Sequence, residues 1–182
     1  MKRWLLSTLA LLLLAGCTSL PKGVQPIKDF HSQRYLGKWY EIARLDHSFE
    51  SGLSHVSATY SLRDDGGIKV INRGYSTSDK KWSQAVGKAY FVRSKNEGYL
   101  KVSFFGPFYG TYAIVDLDSD YRYSLVAGPN KDYLWILSRT PTLPSATLEK
   151  LINEAKSLGF NTHQLIMVDQ QTKVPEPAES KK

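Results

Sequence analysis

A single cysteine, Cys17, is all the thiol chemistry in a chain of 182 residues. Without a second sulfur there is no intramolecular disulfide, and neither a cysteine metal site nor a Cys-His catalytic pair can form in the body of the fold. Stability must then come from packing. Long apolar runs are also missing: the run at 4–14 has 11 residues, whereas a helix needs ~20 to cross hydrocarbon. A permanent transmembrane anchor is not expected. Nor is there a large surplus of one charge. The formal +7 includes Lys2 and Arg3, which lie in a segment argued below to be removed, leaving about +5. The cations are scattered, and export removes most nucleic-acid partners, so no nucleic acid is expected to bind. Of the four histidines, His31, His47, His55 and His163, His55 falls on the polar side of its candidate strand and His47 in a loop. Neither haem ligation nor another metal site is expected, no Ser-His-Asp geometry can be inferred, and no cofactor or catalytic residue is assigned.

What is present fits one globular domain, with 42% hydrophobic and 23% charged residues. The aromatic side chains, 11 Tyr, 7 Phe and 4 Trp, argue against disorder and for a β-rich interior. The chain opens on Lys2 and Arg3, continues with the uncharged run 4–14, and reaches small residues before Cys17. That is a signal-peptide pattern. Leu14-Ala15-Gly16-Cys17 resembles the bacterial lipobox, in which the cysteine thiol takes a diacylglycerol, cleavage exposes its amine, and the amine is acylated. Cys17 is the expected lipidation site, and its several acyl chains would anchor stably where one chain is marginal. By resemblance to the enterobacterial sorting rule, Thr18, where an Asp would retain the protein at the inner membrane, directs it to the outer membrane. The body would then face the periplasm. Pro21, Gly23 and Pro26 make the following segment read as a spacer, able at ~3.3 Å per residue to hold the body up to ~35 Å from the lipid.

From Gly37 to Arg139 period-two alternation dominates, and helical periodicity is absent. Candidate strands are 38–45, 55–62, 67–77, 82–93, 98–105, 109–117, 121–127 and 133–139, separated by Gly, Pro, Asn, Asp and Ser turns. The second places Val56, Ala58, Tyr60 and Leu62 on one face, and the eighth does likewise with Tyr133, Trp135 and Leu137. Short links imply antiparallel neighbours. The fold class expected is all-β, an eight-stranded antiparallel up-and-down barrel whose closure removes the sheet edges and whose interior either fills with side chains or holds one small ligand. After Arg139, Leu148, Leu151, Ile152, Ala155 and Leu158 recur at helical spacing up to Gly159, predicting one C-terminal helix packed outside the barrel. Residues 164–168 read as a short extra strand. The expected organisation is a signal peptide at 1–16, a lipidated tether at 17–28, barrel plus helix at 29–170, and a disordered tail at 171–182.

Three stretches carry a family resemblance. Gly37-Lys38-Trp39-Tyr40-Glu41-Ile42-Ala43 resembles the lipocalin Gly-x-Trp signature of the first strand, Asp118-Ser119-Asp120-Tyr121 the family's second motif, and Trp135-Ile136-Leu137-Ser138-Arg139 its third. Their order and spacing agree over 35–169. With the lipobox, the chain is most similar to the bacterial outer-membrane lipoprotein lipocalins, close in pattern to the apolipoprotein D-like branch. The resemblance implies that Gly37, Trp39 and Arg139 are structural, with Trp39 across the closed barrel end and the Arg139 guanidinium packed over it. It also implies that Tyr60 and Trp135 face the ligand cavity. Strand parity adds Ala58, Asn72, Phe91, Val102, Phe104 and Tyr112. Asn72 is the most informative of these, because an inward amide either meets a ligand head group or must be satisfied internally.

A mouth lined by aromatic and aliphatic side chains favours long apolar ligands, since each buried methylene contributes ~0.8 kcal/mol before ordering costs. The resemblance implies fatty acids or lysophospholipids, stored or transported for envelope maintenance, and admits a homodimer in which two barrels share one site. The loop 46–54 would gate the open end. A second reading stays open at this point: an envelope interaction or structural lipoprotein whose barrel is filled by its own side chains.

Overall fold

The alternation between Gly37 and Arg139 resolves into eight strands. The computed structural model describes residues 18–176; the signal segment with Cys17, and residues 177–182, lie outside the described residues. In chain order the strands are β1 (Gly37–Leu45), β2 (Leu53–Leu62), β3 (Ile68–Ser76), β4 (Lys81–Phe91), β5 (Tyr99–Ser103), β6 (Gly110–Leu117), β7 (Tyr123–Ala127) and β8 (Leu134–Ser138). Each pairs antiparallel with the next, and β1 pairs with both β2 and β8, so the sheet closes into the expected barrel. A four-residue helix, α1 (Ser32–Tyr35), precedes β1; the longer helix α2 (Ser145–Ser157) and a ninth strand, β9 (Leu165–Met167), follow β8.

The seam between β1 and β2 is incomplete and is repaired from the C-terminal end of the chain. Direct pairing of β1 with β2 runs only from Gly37 to Tyr40. Above that point β2 bulges between Ser54 and Ser57, with His55 at φ +52°, which bends the strand away. Here β9 pairs with β1 at Ala43–Leu45. Gln170 Nε2 then bridges the gap, donating to the carbonyls of Glu41 and Val56 at 2.8 Å each.

Two apolar layers result. Leu151 and Ala155 of α2, both fully buried, pack on Ala43 of β1, Leu125 and Ala127 of β7, and Leu134 and Ile136 of β8. Strands under the helix are therefore buried on both faces, so β7 reads as a nearly continuous apolar run. Gly159, at φ +84°, ends α2 with the Phe160 amide bonded back to the Ala155 carbonyl, a left-handed cap that suits glycine. The inner layer fills the lower half of the barrel, where the Tyr35 ring packs against Phe30, Trp39 and Tyr60 with centroids 4.6–5.5 Å apart.

The lower end is sealed by Arg139. Its guanidinium lies 4.0 Å from the Trp39 ring centroid. The same group donates to three carbonyls on three segments: Arg34 of α1 at 2.7 Å, Lys38 of β1 at 3.0 Å and Tyr121 of the β6–β7 turn at 3.2 Å. A planar fork serves such a set where an ammonium cannot. Trp39 Nε1 donates to the Tyr35 carbonyl at 2.8 Å, and Gly37 enters β1 at φ +91°, a conformation that residues with a Cβ rarely adopt.

Two segments differ from expectation. Residues 18–28 are not a free spacer: Val24 is buried in the layer beneath α2, Ile27 exchanges backbone bonds with Ile114 and Gly98, and Lys28 bridges to Glu97. Pro and Gly suggested a linker, but the apolar residues between them find a seam. The first part of the expected tail is held as well, since Trp82 Nε1 donates to the Pro175 carbonyl at 2.6 Å.

Removing the Arg139 seal is expected to cost stability and little else. Arg139→Ala should lower the urea unfolding free energy by about 3 kcal/mol, from the lost cation–π contact and charge-assisted bonds. Arg139→Lys should restore only part of it. An unchanged midpoint in Arg139→Ala would remove the closed end from this role.

Candidate functional site

Above the aromatic layer the barrel is hollow. The inward side chains become small, with Ala58 of β2, Val70 of β3, Ala89 of β4 and Val102 of β5 on the wall, and they leave a cavity that opens to solvent at the mouth. Its floor is Phe30, Tyr35, Tyr60 and Tyr112, and its mouth is bounded by Phe49, Glu50, Phe104 and Trp135. Most of the wall is apolar.

Six of the seven proposed ligand-binding residues stand on this wall: Tyr60, Asn72, Val102, Phe104, Tyr112 and Trp135, together with Ala58. Phe91 does not. It has the expected inward parity, but it ends β4 at the closed end and packs 6.2 Å from Phe30, beneath the cavity. Gly37, Trp39 and Arg139 stand at the closed end, away from the cavity. Cys17 lies outside the described residues.

The floor hydroxyls satisfy one another. Tyr112 bonds Tyr35 at 2.8 Å and Tyr60 at 2.9 Å, and Tyr35 reaches Ser124. Burial pushes the Tyr35 hydroxyl up to about 12 and those of Tyr60 and Tyr112 well above the usual phenol range, so all three stay neutral. Asn72 is different. Its side-chain oxygen is buried on the cavity wall and has no hydrogen-bond partner, an unmet acceptor at mid-height.

A buried charged cluster near the mouth was not anticipated. Arg44 of β1 is almost fully buried; it donates to Glu41 Oε1 at 2.8 Å and to the Glu50 carbonyl at 2.8 Å, and lies 3.7 Å from Asp46. Glu50 in turn accepts from Trp135 Nε1 at 3.1 Å. These contacts latch the loop 46–52, expected as a gate, onto β1 and β8. Burial, with Glu50 close by, holds Glu41 well above the usual carboxylate range; Glu50 is also raised by burial, opposed by Trp135 and Arg44. Glu41, with Glu50, reaches the cavity wall, and it shares the inward parity of Trp39 along β1, the one signal that could have found it. His47 lies in the same loop, stacked on Phe49 at 3.9 Å and 5.6 Å from Tyr133. Its Nε2 is 3.2 Å from Glu50 Oε2 without the alignment of a hydrogen bond. Burial, then the Arg44 charge, lowers its pKa to about 4.

Among the described residues no cluster of three or more His, Cys, Asp or Glu side chains is arranged to hold a metal ion. A closed barrel, an Arg-over-Trp seal at one end and an apolar cavity at the other are the geometry that the three sequence motifs imply. The family profile described as a lipocalin-like domain matches residues 30–170. The chain is a lipocalin. It is 58% identical over 160 residues to the outer membrane lipoprotein Blc of Vibrio cholerae, covering 87% of this chain and 94% of that protein. The Blc of Escherichia coli K12 is 52% identical over 163 residues, covering 88% and 92%. Apolipoprotein D of Macaca fascicularis is 34% identical over 172 residues, covering 87% and 84%. Among solved structures, insecticyanin from the tobacco hornworm Manduca sexta superposes with a TM-score of 0.69 at 18% identity, over 88% of this chain and 91% of that one. With these relatives, this lipocalin is an outer-membrane lipoprotein.

The mouth cluster gives stability two opposed pH dependences. His47 is held neutral down to about pH 4 in the fold and takes up a proton near 6.5 when unfolded, so its contribution rises with pH across that window and is lost on acidification. Glu41 and Glu50 act the other way, because the fold keeps a proton that the unfolded chain releases near 4.5; stability falls as pH rises above that value. Urea midpoints measured against pH should lose the rising limb in His47→Phe and the falling limb in Glu50→Gln. Parallel profiles for wild type and both variants would contradict the assignment.

Proposed function

We propose that this lipocalin stores or transports a single-chain lipid, a fatty acid or a lysophospholipid, with the acyl chain inside the barrel, for maintenance of the envelope. Cys17 carries the acyl anchor that holds the protein on the outer membrane, facing the periplasm. The observation that carries this reading is the hollow upper half of the barrel, with a mostly apolar wall and open at one end. Each methylene placed there contributes about 0.8 kcal/mol. The floor is closed by hydroxyls already paired with one another, so it makes no demand on the apolar tail. Asn72, Glu50 and Trp135 supply the polar groups that a head group near the middle or mouth would meet. Nothing in this scheme calls for a covalent step, and the protein acts as a binder.

The reading in which side chains fill the barrel accounts for its lower half, where Phe30, Tyr35 and Trp39 leave no space. It does not account for the upper half.

Native mass spectrometry of the body from Thr18 onward, purified without detergent and then incubated with fatty acids and lysophospholipids, should find one adduct of acyl-lipid mass per barrel. It also reads directly whether the protein is a monomer or a dimer. Trp135→Ala should weaken that adduct while the protein stays folded. A protein that remains empty throughout, with Trp135→Ala costing the few kcal/mol of a core truncation, would favour the filled-barrel interaction protein instead.

A further inference from the structure

The open end of the barrel carries apolar surface that the fold does not use. In a meander alternate turns fall at one end, which places the loops 46–52, 77–80, 104–109 and 128–133 together around the mouth. In the loop 104–109, Phe105 is 81% and Phe108 71% exposed; across the mouth, Phe49 is 58% exposed. The sequence of that loop, Phe104-Phe105-Gly106-Pro107-Phe108-Tyr109, contains no charged residue. Phe104 turns inward onto the cavity wall, and its neighbours turn out.

The described chain begins beside this loop. Ile27 is bonded to Gly98 and Ile114, in the lower part of the barrel. Followed toward the N-terminus, the segment climbs the outer face of β5 and β6: the Thr111 hydroxyl donates to the Ser19 carbonyl at 2.9 Å, and the Tyr99 hydroxyl donates to the Thr18 carbonyl. Thr111 is the second residue of β6, adjacent to the loop 104–109. Because Val24 is buried and Ile27 is bonded on both sides, the segment leaves the body at a fixed place. Cys17 is the next residue in the sequence.

We propose that the protein sits mouth-down on the membrane holding its own acyl anchor, with Phe105, Phe108 and Phe49 inserted among the lipid head groups and the cavity opening onto the lipid surface. The proposal rests on the reading of Cys17 as the lipidation site. A free spacer would leave the barrel to tumble above the surface, whereas one seated as far as Thr18 and Ser19 starts the anchor from the wall of β5 and β6, on the side of the barrel that carries the loop 104–109. The anchor raises the effective concentration of the loop at the bilayer, so a few aromatic side chains suffice where they would not bind alone. Aromatic rings are suited to the interface, and an uncharged loop has no ionic desolvation to overcome. A lipid entering or leaving the cavity then passes between membrane and barrel without crossing water.

The test uses the full chain, exported and acylated in a bacterial host and reconstituted into phosphatidylethanolamine–phosphatidylglycerol vesicles. Acylation consumes the Cys17 thiol, so an environment-sensitive dye reacts only with an introduced cysteine. Phe105→Cys and Phe108→Cys report on the mouth; Asp64→Cys and Ser119→Cys, both exposed in turns at the opposite end, report on the closed end. Dyes at the mouth should be quenched severalfold more by lipids brominated in their chains, and less by aqueous iodide, than dyes at the closed end. Equal exposure to iodide at both ends, or deeper burial of the closed end, overturns the orientation while leaving the anchor intact. Protein whose intact mass lacks acyl chains overturns the anchor reading, and the orientation with it.

Discussion

The contact between Arg139 and Trp39 is the constraint on which the rest of the structure depends. A barrel without a disulfide must hold its two ends by packing, and here one guanidinium stacks on an indole and serves carbonyls from α1, β1 and the β6–β7 turn. The β6–β7 turn is distant in sequence from α1 and β1, and Arg139 adds to the bonds by which His31 and Arg34 already hold that turn. Sealing the lower end tightly, with Phe30, Tyr35 and Tyr60 stacked above the seal, frees the upper half from supplying the main core. A second apolar layer, between α2 and strands β1, β7 and β8, holds the wall from outside. The hollow is stable because both its floor and one side of its wall are secured elsewhere.

What the hollow contains follows from the same division. Polar groups at its floor are paired among themselves, and those near its mouth form a latch in which Arg44 ties the loop 46–52 to β1 and Glu50 ties it to Trp135. The latch sets the mouth without closing it. Burying ionisable groups is a poor source of stability; in this place they give a defined loop position at the rim of a lipid site. The outward Phe105 and Phe108 stand on the other side of the same rim, so the cavity, the latch and the exposed aromatic loop occupy one end of the molecule.

The strands were legible in the sequence because an antiparallel meander with a wet outer face writes its alternation plainly, and β2 shows this from Val56 to Tyr60. Gly37, Trp39 and Arg139 were legible through motifs. The latch was not. Glu41 and Arg44 are charged residues in a strand, ordinarily read as solvent-facing, and only the three-dimensional meeting with Glu50 and His47 explains their burial. Phe91 shows the limit of parity: alternation says which side a residue faces, and its height along the barrel decides whether it meets a cavity or a plug. The segment 18–28 shows the limit of composition, since Pro21, Gly23 and Pro26 are compatible with a seated strap as well as with a spacer.

The central claim is that the closed end carries stability while the upper barrel is kept empty for an acyl chain. A crystal structure of the protein with a lysophospholipid tests it most directly. The account predicts an acyl chain running from between Trp135 and Phe104 at the mouth down toward Tyr60 and Tyr112, with the Arg139–Trp39 contact unchanged. A lipid bound only on the outer surface, with Phe104 and Trp135 folded in to fill the cavity, would contradict it.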